Sequence, residues 1–489
     1  MFSYKDYFKG KKITLMGLGL LGRGLHDAIF LAECGAELIV TDLRDEKTLA
    51  LSLAKLKKFK DIRYRLGKHK LEDFRNRDFI LKAAGVSLDS PYIAEAQKNG
   101  IPIEMDASLF AKLMPKDVTL VGVTGTRGKS TATALIYEIL NARFKIQDLR
   151  FKKEKSYVKD KGSRIKDSTR VFRGGNLVPE ATLPLLKKVR SGDIVVLELD
   201  SWQLQGFHDA KISPQVAVFT TFLDDHLLYY KGDTKKYFED KIAIFKYQKK
   251  GDVLVVGEKA APRVRAARPP VKPTISLVAD IPAGWKPRVL GVHNRENIAA
   301  ALVAARALGV SDAVIKKAVE NFEGVPGRLQ YLKTIRGVKI YNDNNATTPD
   351  ATLAALHALS TKSEIRNPKQ IPNSKSQKKE KNLILIMGGT DKGLDMSKLV
   401  AEIPKYCKAV VFLKETGTEK LIINYHLSII NQFPIFKKDT LSECVEEAMK
   451  IAQKGEIILF SPAFASFGKW FKNEYDRGEQ FVKIVGKIR

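Results

Sequence analysis

Hydrophobic and polar positions alternate along the chain between short apolar runs and longer amphipathic stretches. In the first hundred residues the apolar runs KITLMGLG, AELIVTD and DFILKAAG end in glycine or aspartate, and LHDAIFLAECG and SPYIAEAQKNG have helical spacing. Short buried strands that alternate with amphipathic helices are typical of a parallel sheet. The pattern therefore predicts a Rossmann-like domain at the start of the chain.

Two further series of the same kind follow. The second begins at VTLVGVTG, continues through DIVVLELD and PQVAVFTTF, and closes with the helix RENIAAALVAARALG. The third runs from GVKIYND through TPDATLAALHALS, NLILIMGG and KAVVFL to EIILFSP. We therefore predict an α/β fold of three consecutive domains over residues 1–107, 108–324 and 325–489. The first and third are expected to be Rossmann-like and the second a P-loop domain of the ATPase type.

Composition excludes several protein classes. A chain of 489 residues with 44% apolar and 28% charged residues is neither mostly disordered nor fibrous. Cys34, Cys407 and Cys444 are far apart, which argues against a disulfide framework and a zinc site. No apolar run approaches the roughly 20 residues of a membrane helix, and the first residues lack the apolar core of a signal peptide. We expect a cytosolic protein.

The formal net charge of +29 raises the question of nucleic-acid binding. Much of the excess lies in residues 150–173, with ten basic and three acidic residues, and 361–382, with seven basic and two acidic residues. Neither stretch has helical or strand periodicity, so both are predicted to be solvated insertions. No RNP or zinc-finger pattern is present, and specific nucleic-acid binding is not expected. A basic ATPase stimulated by nucleic acid remains as an alternative.

The strongest motif is GVTGTRGKST at residues 122–131, between an apolar strand and a helix. Its glycines let backbone N–H groups surround phosphate oxygens, while Lys129 reaches the terminal phosphates and the Ser130 hydroxyl can bind Mg²⁺. The first glycine stands one position earlier than in the strict Walker pattern, so the loop is a variant. The motif predicts binding of a nucleoside triphosphate.

A second glycine motif, Gly17-x-Gly19-x-x-Gly22, is followed by Asp42 at the end of the next strand. Alone it predicts a dinucleotide site with Asp42 on a ribose, as in an NAD-dependent oxidoreductase. The alternative is a tight turn that needs glycine only for packing. Two phosphate-binding turns in one chain suggest a triphosphate-using enzyme whose other substrate carries a diphosphate.

Three further residues are candidates for metal chemistry. Glu198 lies inside the apolar strand IVVLELD, where a buried carboxylate needs a cation, and Mg²⁺ next to the phosphates would supply one. The alternative is an exposed strand end. His226, in LDDHLLYY, could be a metal ligand or a capping residue. Lys241, in YFEDKIAIF, would by default be a solvated helix lysine.

Together the motifs resemble the Mur ligases, the ATP-dependent amide-bond-forming enzymes of peptidoglycan precursor synthesis. The resemblance covers nearly the whole chain apart from the two lysine-rich insertions. It points to the member that adds D-glutamate to UDP-N-acetylmuramoyl-L-alanine. It rests on these sequences in family order: GLGLLGRG, GVTGTRGKST, GGNLVPE, VLELDSWQL, FLDDHLLYY with EDKIAIF, GVHNRENIAAAL, GVPGRLQ, YNDNNATTPDAT, GGTDKG and SPAFASFGKWF with EYDRG.

The resemblance implies three binding sites. The first domain would hold the UDP moiety of the substrate, not NAD, through Gly17, Gly19, Leu20, Leu21, Gly22, Asp42, Arg44 and Gly85, with Asn176 near the muramoyl group. ATP would be bound by Gly125, Thr126, Gly128, Lys129, Ser130, Thr131, Asn294, Asn297, Arg328 and Asp343. The incoming amino acid would be bound by Thr347, Lys392, Ser466 and Tyr475.

The resemblance also implies the chemistry. Two Mg²⁺ ions are expected, one held by Ser130 and Glu198 and the other by His226 and by Lys241 carbamylated with CO₂. Lys129, His226, Lys241 and Glu198 would be catalytic. A carboxylate of the nucleotide sugar would attack ATP to give an acyl phosphate, which the amino group of glutamate would then attack. We expect a monomer that acts on small molecules and binds no membrane.

The sequence departs from the family pattern at four places. Asn345 stands where a lysine is expected near the glutamate carboxylate, and Gly327 where a histidine is expected before Arg328. Asp200 replaces a serine, and the first-domain element reads AAGV, which leaves only Gly85 of its usual residues. Loss of the lysine cation keeps a ligase for L-glutamate or another amino acid as an alternative.

Overall fold

In the part of the chain that the structure describes, three sheets built largely of parallel strands are present, one for each α/β series, which confirms the predicted fold class. The computed structural model describes residues 3–151, 169–176, 181–223, 229–360, 381–430, 434–466 and 468–488. Most of the two predicted insertions, 150–173 and 361–382, lies outside these ranges. Within them, no helix has both the length and the apolar character needed to cross a bilayer.

The first sheet has the strand order β3-β2-β1-β4-β5, and every pair is parallel. The order reverses between β1 and β4, where a doubly wound sheet opens a crevice at the carboxyl ends of its strands. Its strands are β1 Lys12–Met16, β2 Glu37–Asp42, β3 Ile62–Leu66, β4 Phe79–Lys82 and β5 Ile103–Glu104. The helices of this part are α1 Tyr4–Phe8, α2 Arg23–Glu33, α3 Glu46–Leu56, α4 Pro91–Lys98 and α5 Asp106–Leu113.

The second sheet has the order β11-β10-β9-β6-β8-β7 and is also entirely parallel. Strand β6 lies between β9 and β8, so the segments after these three strands meet at one sheet edge. The strands are β6 Thr119–Thr124, β7 Val171–Gly175, β8 Ile194–Glu198, β9 Val216–Phe219, β10 Val253–Gly257 and β11 Thr274–Ser276. The helices along this part of the chain are α6 Lys129–Phe151, α7 Ser201–Ala210, α8 Thr234–Lys246, α9 Ala261–Ala266, α10 Val292–Ala307 and α11 Asp312–Asn321.

The third sheet has the order β12-β13-β17-β14-β15-β16, with only the edge pair β12–β13 antiparallel. Its strands are β12 Gln330–Ile335, β13 Val338–Asn342, β14 Leu383–Met387, β15 Cys407–Leu413, β16 Ile435–Lys438 and β17 Ile457–Phe460. Its helices are α12 Pro349–Ser360, α13 Ser397–Tyr406, α14 Thr416–Ile430, α15 Leu441–Ile451 and α16 Glu474–Lys487.

Strand β14 shows why these strands are uninterrupted apolar runs. Successive side chains of a strand point to opposite faces, and here both faces are covered. Leu383 and Leu385 pack in a core with helices α12 and α13, while Ile384 and Ile386 pack in a second core with α15 and α16. Because helices cover both faces of the sheet, a ligand can reach it only at the ends of its strands. The carboxyl ends of the parallel strands are therefore the place where side chains can contact a ligand.

The chain divides into two compact units. The first, residues 1–281 with 296–318, contains the first two sheets, which share one continuous hydrophobic core. The second, residues 282–295 with 319–489, contains the third sheet. The predicted domain boundaries at 107/108 and 324/325 stay predictions.

All three cysteines are buried as free thiols. Burial raises the pKa of Cys34 to about 11 and that of Cys444 to about 12, and it raises the pKa of Cys407 as well.

Candidate active site

The P-loop motif forms the predicted turn between strand β6 and helix α6, which begins at Lys129. Gly125 and Gly128 have φ angles of +143° and +87°, which L side chains rarely adopt. A Cβ atom on Gly125 would lie 2.1 Å from Thr220 Oγ1, and one on Gly128 would lie 2.2 Å from Asn297 Oδ1. The loop thus fits between the end of β9 and helix α10 only because these positions are glycine.

Two lysine ammonium groups meet at this loop. Lys129 Nζ donates to the carbonyl oxygens of Gly125 and Thr126 at 3.0 and 3.1 Å. Lys241 Nζ, from helix α8, donates to the same Gly125 oxygen at 3.0 Å and lies 4.9 Å from the centre of the Tyr237 ring. The Lys241 side chain is buried, so the alternative of a solvated helix lysine is wrong.

Glu198 is the last residue of β8 and only 3% exposed, so the alternative of an exposed strand end is wrong. It pairs in register with Val123 of the neighbouring strand, which places it at the sheet edge that carries the P-loop. Ser130 lies in the first turn of α6. One carboxylate and one hydroxyl, completed by phosphate oxygens, fit the oxygen ligands that Mg²⁺ prefers.

The second predicted metal site is only partly described. His226 lies in residues 224–228, outside the described ranges, so its role stays a prediction. Within those ranges, no three His, Cys, Asp or Glu side chains cluster in a way that could hold a metal without phosphate.

A small cavity of about 20 Å³ adjoins the P-loop at the carboxyl ends of β9, β10 and β11. Thr220, Gly257, Ser276 and Asn297 contribute to its lining. Asn297 is buried in α10, and its side chain closely approaches the P-loop residue Gly128. The predicted ATP residue Asn297 therefore lies at the loop. Thr131, also predicted to bind ATP, is buried in the first turn of α6.

The glycine turn of the first sheet is held by Asp42. The Gly19 N–H donates to Asp42 Oδ2 at 2.8 Å, and the Arg44 N–H donates to Asp42 Oδ1 at 2.9 Å. The Asp42 side chain is 2% exposed, so its carboxylate fixes the turn and the end of β2 from within. The predicted UDP residues Leu20 and Leu21 follow in the same turn, where Leu20 is 45% exposed.

A cavity of about 80 Å³ opens where the strand order reverses, between the ends of β1 and β4. Gly85, a predicted UDP residue, lines it together with Arg23, Asp27, Lys82 and Asp106. Sequence reasoning missed these four. Lys82 and Asp27 gave a signal, since each interrupts an otherwise apolar run of a strand or helix.

Two of these residues are buried ionisable groups. Burial lowers the pKa of Lys82 to about 8, and its ammonium donates to the Val86 carbonyl at 2.7 Å. Burial raises the pKa of Asp27 well above its ordinary value, and the nearby Asp106 adds to this. Arg23 links the turn to the second sheet, because its Nη1 donates to Asn176 Oδ1 at 2.9 Å.

In the second unit, Asp343 follows strand β13 and is buried. Its Oδ1 accepts from the Leu329 N–H and its Oδ2 from the Ser461 hydroxyl, both at 2.8 Å. Burial raises its pKa to about 7 despite these bonds and the nearby Arg328. Asn294, another predicted ATP residue, is buried and donates to the Leu290 carbonyl.

Three of the four predicted amino-acid residues lie on adjoining segments of the third sheet. Lys392 Nζ donates to Thr347 Oγ1 at 3.0 Å. Ser466 is buried, and the residue before it forms a two-way backbone bridge with Thr390, two residues before Lys392. Tyr475, near the start of α16, is 41% exposed.

Buried Arg477 connects these segments and was not singled out from the sequence. Its guanidinium donates to the side-chain and backbone oxygens of Asn344 at 2.7 and 3.0 Å. It also donates to the carbonyls of Phe464 and Ala465, both at 3.3 Å. The signal in the sequence is its place on the buried face of α16, four residues before Phe481.

Two of the departures from the family pattern are neighbours. Gly327 has a φ of +72°, and a Cβ there would lie 3.1 Å from Asn345 Nδ2. The Asn345 N–H donates to the Gly327 carbonyl at 2.9 Å. A third departure, Asp200, caps α7 by accepting from the Gln203 N–H at 2.7 Å. Gly327, next to the predicted ATP residue Arg328, is therefore in contact with Asn345, which lies near the predicted amino-acid site.

Three family models match the chain in order. They are described as Mur ligase MurD-like, N-terminal domain over residues 11–104, Mur ligase middle domain over 123–277, and Mur ligase, glutamate ligase domain over 327–464. Each match contains one of the three sheets or most of it.

Relatives named UDP-N-acetylmuramoylalanine–D-glutamate ligase align from end to end. The protein from Roseiflexus sp. is 32% identical over 97% of this chain and 98% of its own, and that from Borreliella burgdorferi is 31% identical over 99% of both. Two solved structures from Thermotoga maritima share the fold. MurC has a TM-score of 0.57 at 19% identity over 98% of this chain and 100% of its own. MurF in complex with ADP has a TM-score of 0.52 at 18% identity over 86% and 96%. With three domain models in sequence and full-length relatives above 30% identity, the chain belongs to the Mur ligase family.

Proposed function

We propose that this chain catalyses the ATP-dependent addition of D-glutamate to UDP-N-acetylmuramoyl-L-alanine in peptidoglycan precursor synthesis. One observation carries the proposal: Lys129 and Lys241 converge on the P-loop carbonyl of Gly125, at the sheet edge that ends in buried Glu198. The full-length relatives named for this reaction support the choice of substrates. The proposal replaces the oxidoreductase and the nucleic-acid-stimulated ATPase considered from the sequence.

The first chemical step is activation of a carboxylate, because a free carboxylate is a poor electrophile. The carboxylate of the nucleotide sugar attacks the γ-phosphorus of ATP, the bond from that phosphorus to the β–γ bridging oxygen breaks, and an acyl phosphate and ADP are formed. Lys129, already held at the loop by two carbonyl oxygens, stabilises the charge on the transferred phosphoryl group. The amino group of glutamate then attacks the activated carbonyl, phosphate leaves and an amide remains.

The metal ions would neutralise charge on the phosphates. Ser130 and Glu198 would hold one ion, and His226 with a carbamylated Lys241 the other. Carbamylation turns the Lys241 ammonium into an anionic oxygen donor. Its position next to Thr124 and Gly125 at the P-loop supports this, because an oxygen ligand for a metal ion has to lie where the phosphates bind.

The nucleotide sugar would bind at the carboxyl edge of the first sheet. The turn from Gly17 to Gly22, fixed by Asp42, and the cavity that contains Gly85 support this placement. The hydrogen bond between Arg23 and Asn176 joins the glycine turn to the segment that follows β7, in the sheet that also carries the P-loop. A nucleotide sugar bound at the turn would therefore extend toward the P-loop.

Glutamate would bind in the second unit at Thr347, Lys392, Ser466 and Tyr475. Lys392 is already hydrogen-bonded to Thr347, and an exposed ammonium there is suited to bind a carboxylate. Since Asn345 supplies no charge, Lys392 carries more of the anion recognition. A ligase for L-glutamate or another amino acid is therefore the second candidate function.

The test is a turnover assay with the purified full-length chain, ATP, Mg²⁺ and UDP-N-acetylmuramoyl-L-alanine. A panel of D- and L-amino acids is offered, ADP release is followed, and the amide product is identified by mass spectrometry. We expect D-glutamate to be the preferred amine. Preference for L-glutamate would select the second candidate, and no ADP release with any amine would refute the ligase. We further propose a monomer that acts in the cytoplasm, where ATP and nucleotide sugars are present.

A further inference from the structure

Residues 220–223, which follow strand β9, form a series of hydrogen bonds with residues 124–127 of the P-loop. We propose that Thr221, assisted by Thr220, is a positioning residue that holds the P-loop in the conformation needed to bind nucleotide. The proposal rests on the proposed function, because it takes ATP as the ligand of the loop. It assigns to the segment after β9 a role that neither glycine motif indicates.

Thr221 pairs with both polar groups of one P-loop residue. The Arg127 N–H donates to Thr221 Oγ1 at 2.9 Å, and the Thr221 hydroxyl donates back to the Arg127 carbonyl at 3.1 Å. The backbone continues the pairing, because the Thr126 N–H donates to the Thr221 carbonyl at 2.8 Å. The Thr221 hydroxyl thus both donates a hydrogen bond to Arg127 and accepts one from it.

A second hydroxyl, that of Thr126, forms the same kind of reciprocal pair with the peptide groups of Leu223. The Thr126 hydroxyl donates to the Leu223 carbonyl at 3.1 Å, and the Leu223 N–H donates to the Thr126 hydroxyl oxygen at 2.9 Å. Thr220 adds a hydroxyl that lies 2.6 Å from the Arg127 carbonyl and 3.0 Å from that of Thr124. The P-loop and the end of β9 are therefore joined by reciprocal pairs of a hydroxyl with a peptide group.

The close packing supports the same assignment. A Cβ on Gly125 would lie 2.1 Å from Thr220 Oγ1 and 2.8 Å from the Thr221 nitrogen. The threonine segment lies so near the loop that residue 125 has no room for a side chain. Residue 125 is therefore required to be glycine by the close approach of Thr220 as well as by the need of the loop to bind phosphate.

The consequence concerns the Arg127 carbonyl. A P-loop binds phosphate through backbone N–H groups, and a carbonyl oxygen directed at the phosphates would repel them. The hydroxyls of Thr220 and Thr221 bind this oxygen on the side of β9. Without them this carbonyl would lose its two hydroxyl donors, the peptide would rotate more readily, and the loop would lose more conformational entropy when nucleotide binds.

The experiment measures ADP binding with Mg²⁺ to the full-length chain by calorimetry, and KM for ATP and for the nucleotide sugar. We expect Thr221→Val, which keeps the shape of the side chain, to weaken ADP binding and raise KM for ATP by roughly tenfold or more. KM for the nucleotide sugar should stay unchanged. Thr221→Ser retains the hydroxyl and should restore binding to within about threefold.

The matched control is Thr14→Val. Thr14 is a buried strand threonine whose hydroxyl donates to the Asp73 carbonyl in the first sheet. Its replacement should lower thermal stability and leave ADP affinity unchanged.

ADP affinity of Thr221→Val within about twofold of wild type would overturn the proposal, as would an equal loss in Thr221→Ser. If Thr221→Val does not fold, Thr220→Val removes the second donor to the Arg127 carbonyl and is judged by the same criterion. A wild-type chain that binds no ADP would instead refute the proposed function.

Discussion

Lys241 buries an ammonium group beside the P-loop, where the Gly125 carbonyl and the Thr124 hydroxyl accept its hydrogen bonds. A buried charge has to be compensated by its surroundings, and this one lies beside the loop that is expected to bind phosphate. That position favours a chemical role. The proposed carbamate supplies one, because it converts the cation into a metal ligand.

We predict that Lys241→Ala lowers turnover by a factor of roughly 100 or more, as expected when a metal ligand is lost. A small carboxylate such as formate or acetate should restore part of the activity by replacing the carbamate oxygen. The assay is ADP release at increasing carboxylate concentration. The control is Lys236→Ala, an exposed lysine of the same helix. Full activity of Lys241→Ala without added acid would show that this lysine is ordinary.

Asp343 gives a prediction on pH. Its pKa rises from an unfolded value of about 3.9 to about 7, so the native state binds a proton that the unfolded state has lost. This group therefore contributes most to the free energy of unfolding below about pH 4. The contribution falls as pH rises toward 7 and is constant above.

An asparagine side chain carries no charge at any pH, so Asp343→Asn should gain stability relative to wild type between pH 4 and 8. The gain is about 1.4 kcal/mol for each unit of pKa shift. Urea unfolding of both proteins at several pH values measures it, and the exposed Asp350→Asn serves as control. A difference between wild type and Asp343→Asn that does not change with pH would contradict the raised pKa.

Several of these residues could be identified from the sequence alone. Lys129 and Ser130 follow from a motif whose glycines leave few other conformations, and Glu198 from a carboxylate inside an apolar strand. Burial of Lys241 could also be inferred, since it lies four residues after Tyr237 on the buried face of α8. Arg23 could not be identified, because its partner Asn176 is 153 positions away and only the packing of two sheets brings them together.

At the scale of an element, the turn between β6 and α6 has no room for a side chain at its glycine positions 125 and 128. Gly128 combines a φ of +87° with a distance of only 2.2 Å between the place a Cβ would take and Asn297 Oδ1. Gly192 has almost the same φ, +86°, but nothing lies within 4 Å of the place its Cβ would take. An alanine at Gly192 would meet backbone strain alone, whereas an alanine at Gly128 would meet the same strain and a steric clash.

We predict that Gly128→Ala reduces ADP affinity by roughly tenfold or more, because either the loop or Asn297 must move. Gly192→Ala should cost only the backbone strain, about 1 kcal/mol of stability, and leave ADP affinity unchanged. Calorimetry with ADP and thermal unfolding distinguish the two effects. Equal ADP affinity in both variants would mean that the loop adapts without loss.

Helix α16 contacts, through Arg477, the segments that carry the predicted amino-acid residues. Its guanidinium is fully buried and joins residue 344 to residues 464 and 465. Arg477→Lys keeps the charge but cannot reproduce the planar set of donors. We predict a loss of about 2–4 kcal/mol in stability, together with a KM for the amino acid that rises more than KM for ATP.

Thermal unfolding and steady-state kinetics with each substrate varied in turn measure these effects. The control is Lys483→Met on the same helix, at an exposed position. If all KM values rise together in Arg477→Lys, the residue supports the fold and does not position the site.

At the scale of the whole molecule, the first two sheets share one core. Leu31 of α2 and Leu204 of α7 belong to the same hydrophobic cluster, whereas Leu399 of α13 belongs to a separate one. A shared core links the unfolding of the elements around it.

We predict that Leu31→Ala and Leu204→Ala lower the same thermal transition, each by about 2–5 kcal/mol. Leu399→Ala should lower a different transition by a similar amount. Differential scanning calorimetry of the full-length variants provides the measurement. Separate transitions for Leu31→Ala and Leu204→Ala would show that the two sheets unfold independently.

The sequence was sufficient to predict three α/β series, because each strand is a short apolar run that ends in glycine or aspartate. It could not show that the first two series share a core. That depends on residues such as Leu183 and Phe207, whose apolar character does not reveal which sheet they contact. Hydrophobic patterning indicates which face of a helix or strand is buried. It does not indicate which other element covers that face, because this depends on tertiary packing.

The burial of all three thiols has a practical consequence. Thiolate is the reactive form, and the raised pKa values of Cys34 and Cys444 keep both protonated at neutral pH. A maleimide dye should therefore leave the native chain unlabelled. One cysteine introduced at exposed Lys236 and another at exposed Lys483 would then accept a donor–acceptor pair, and energy transfer could follow the two compact units during turnover.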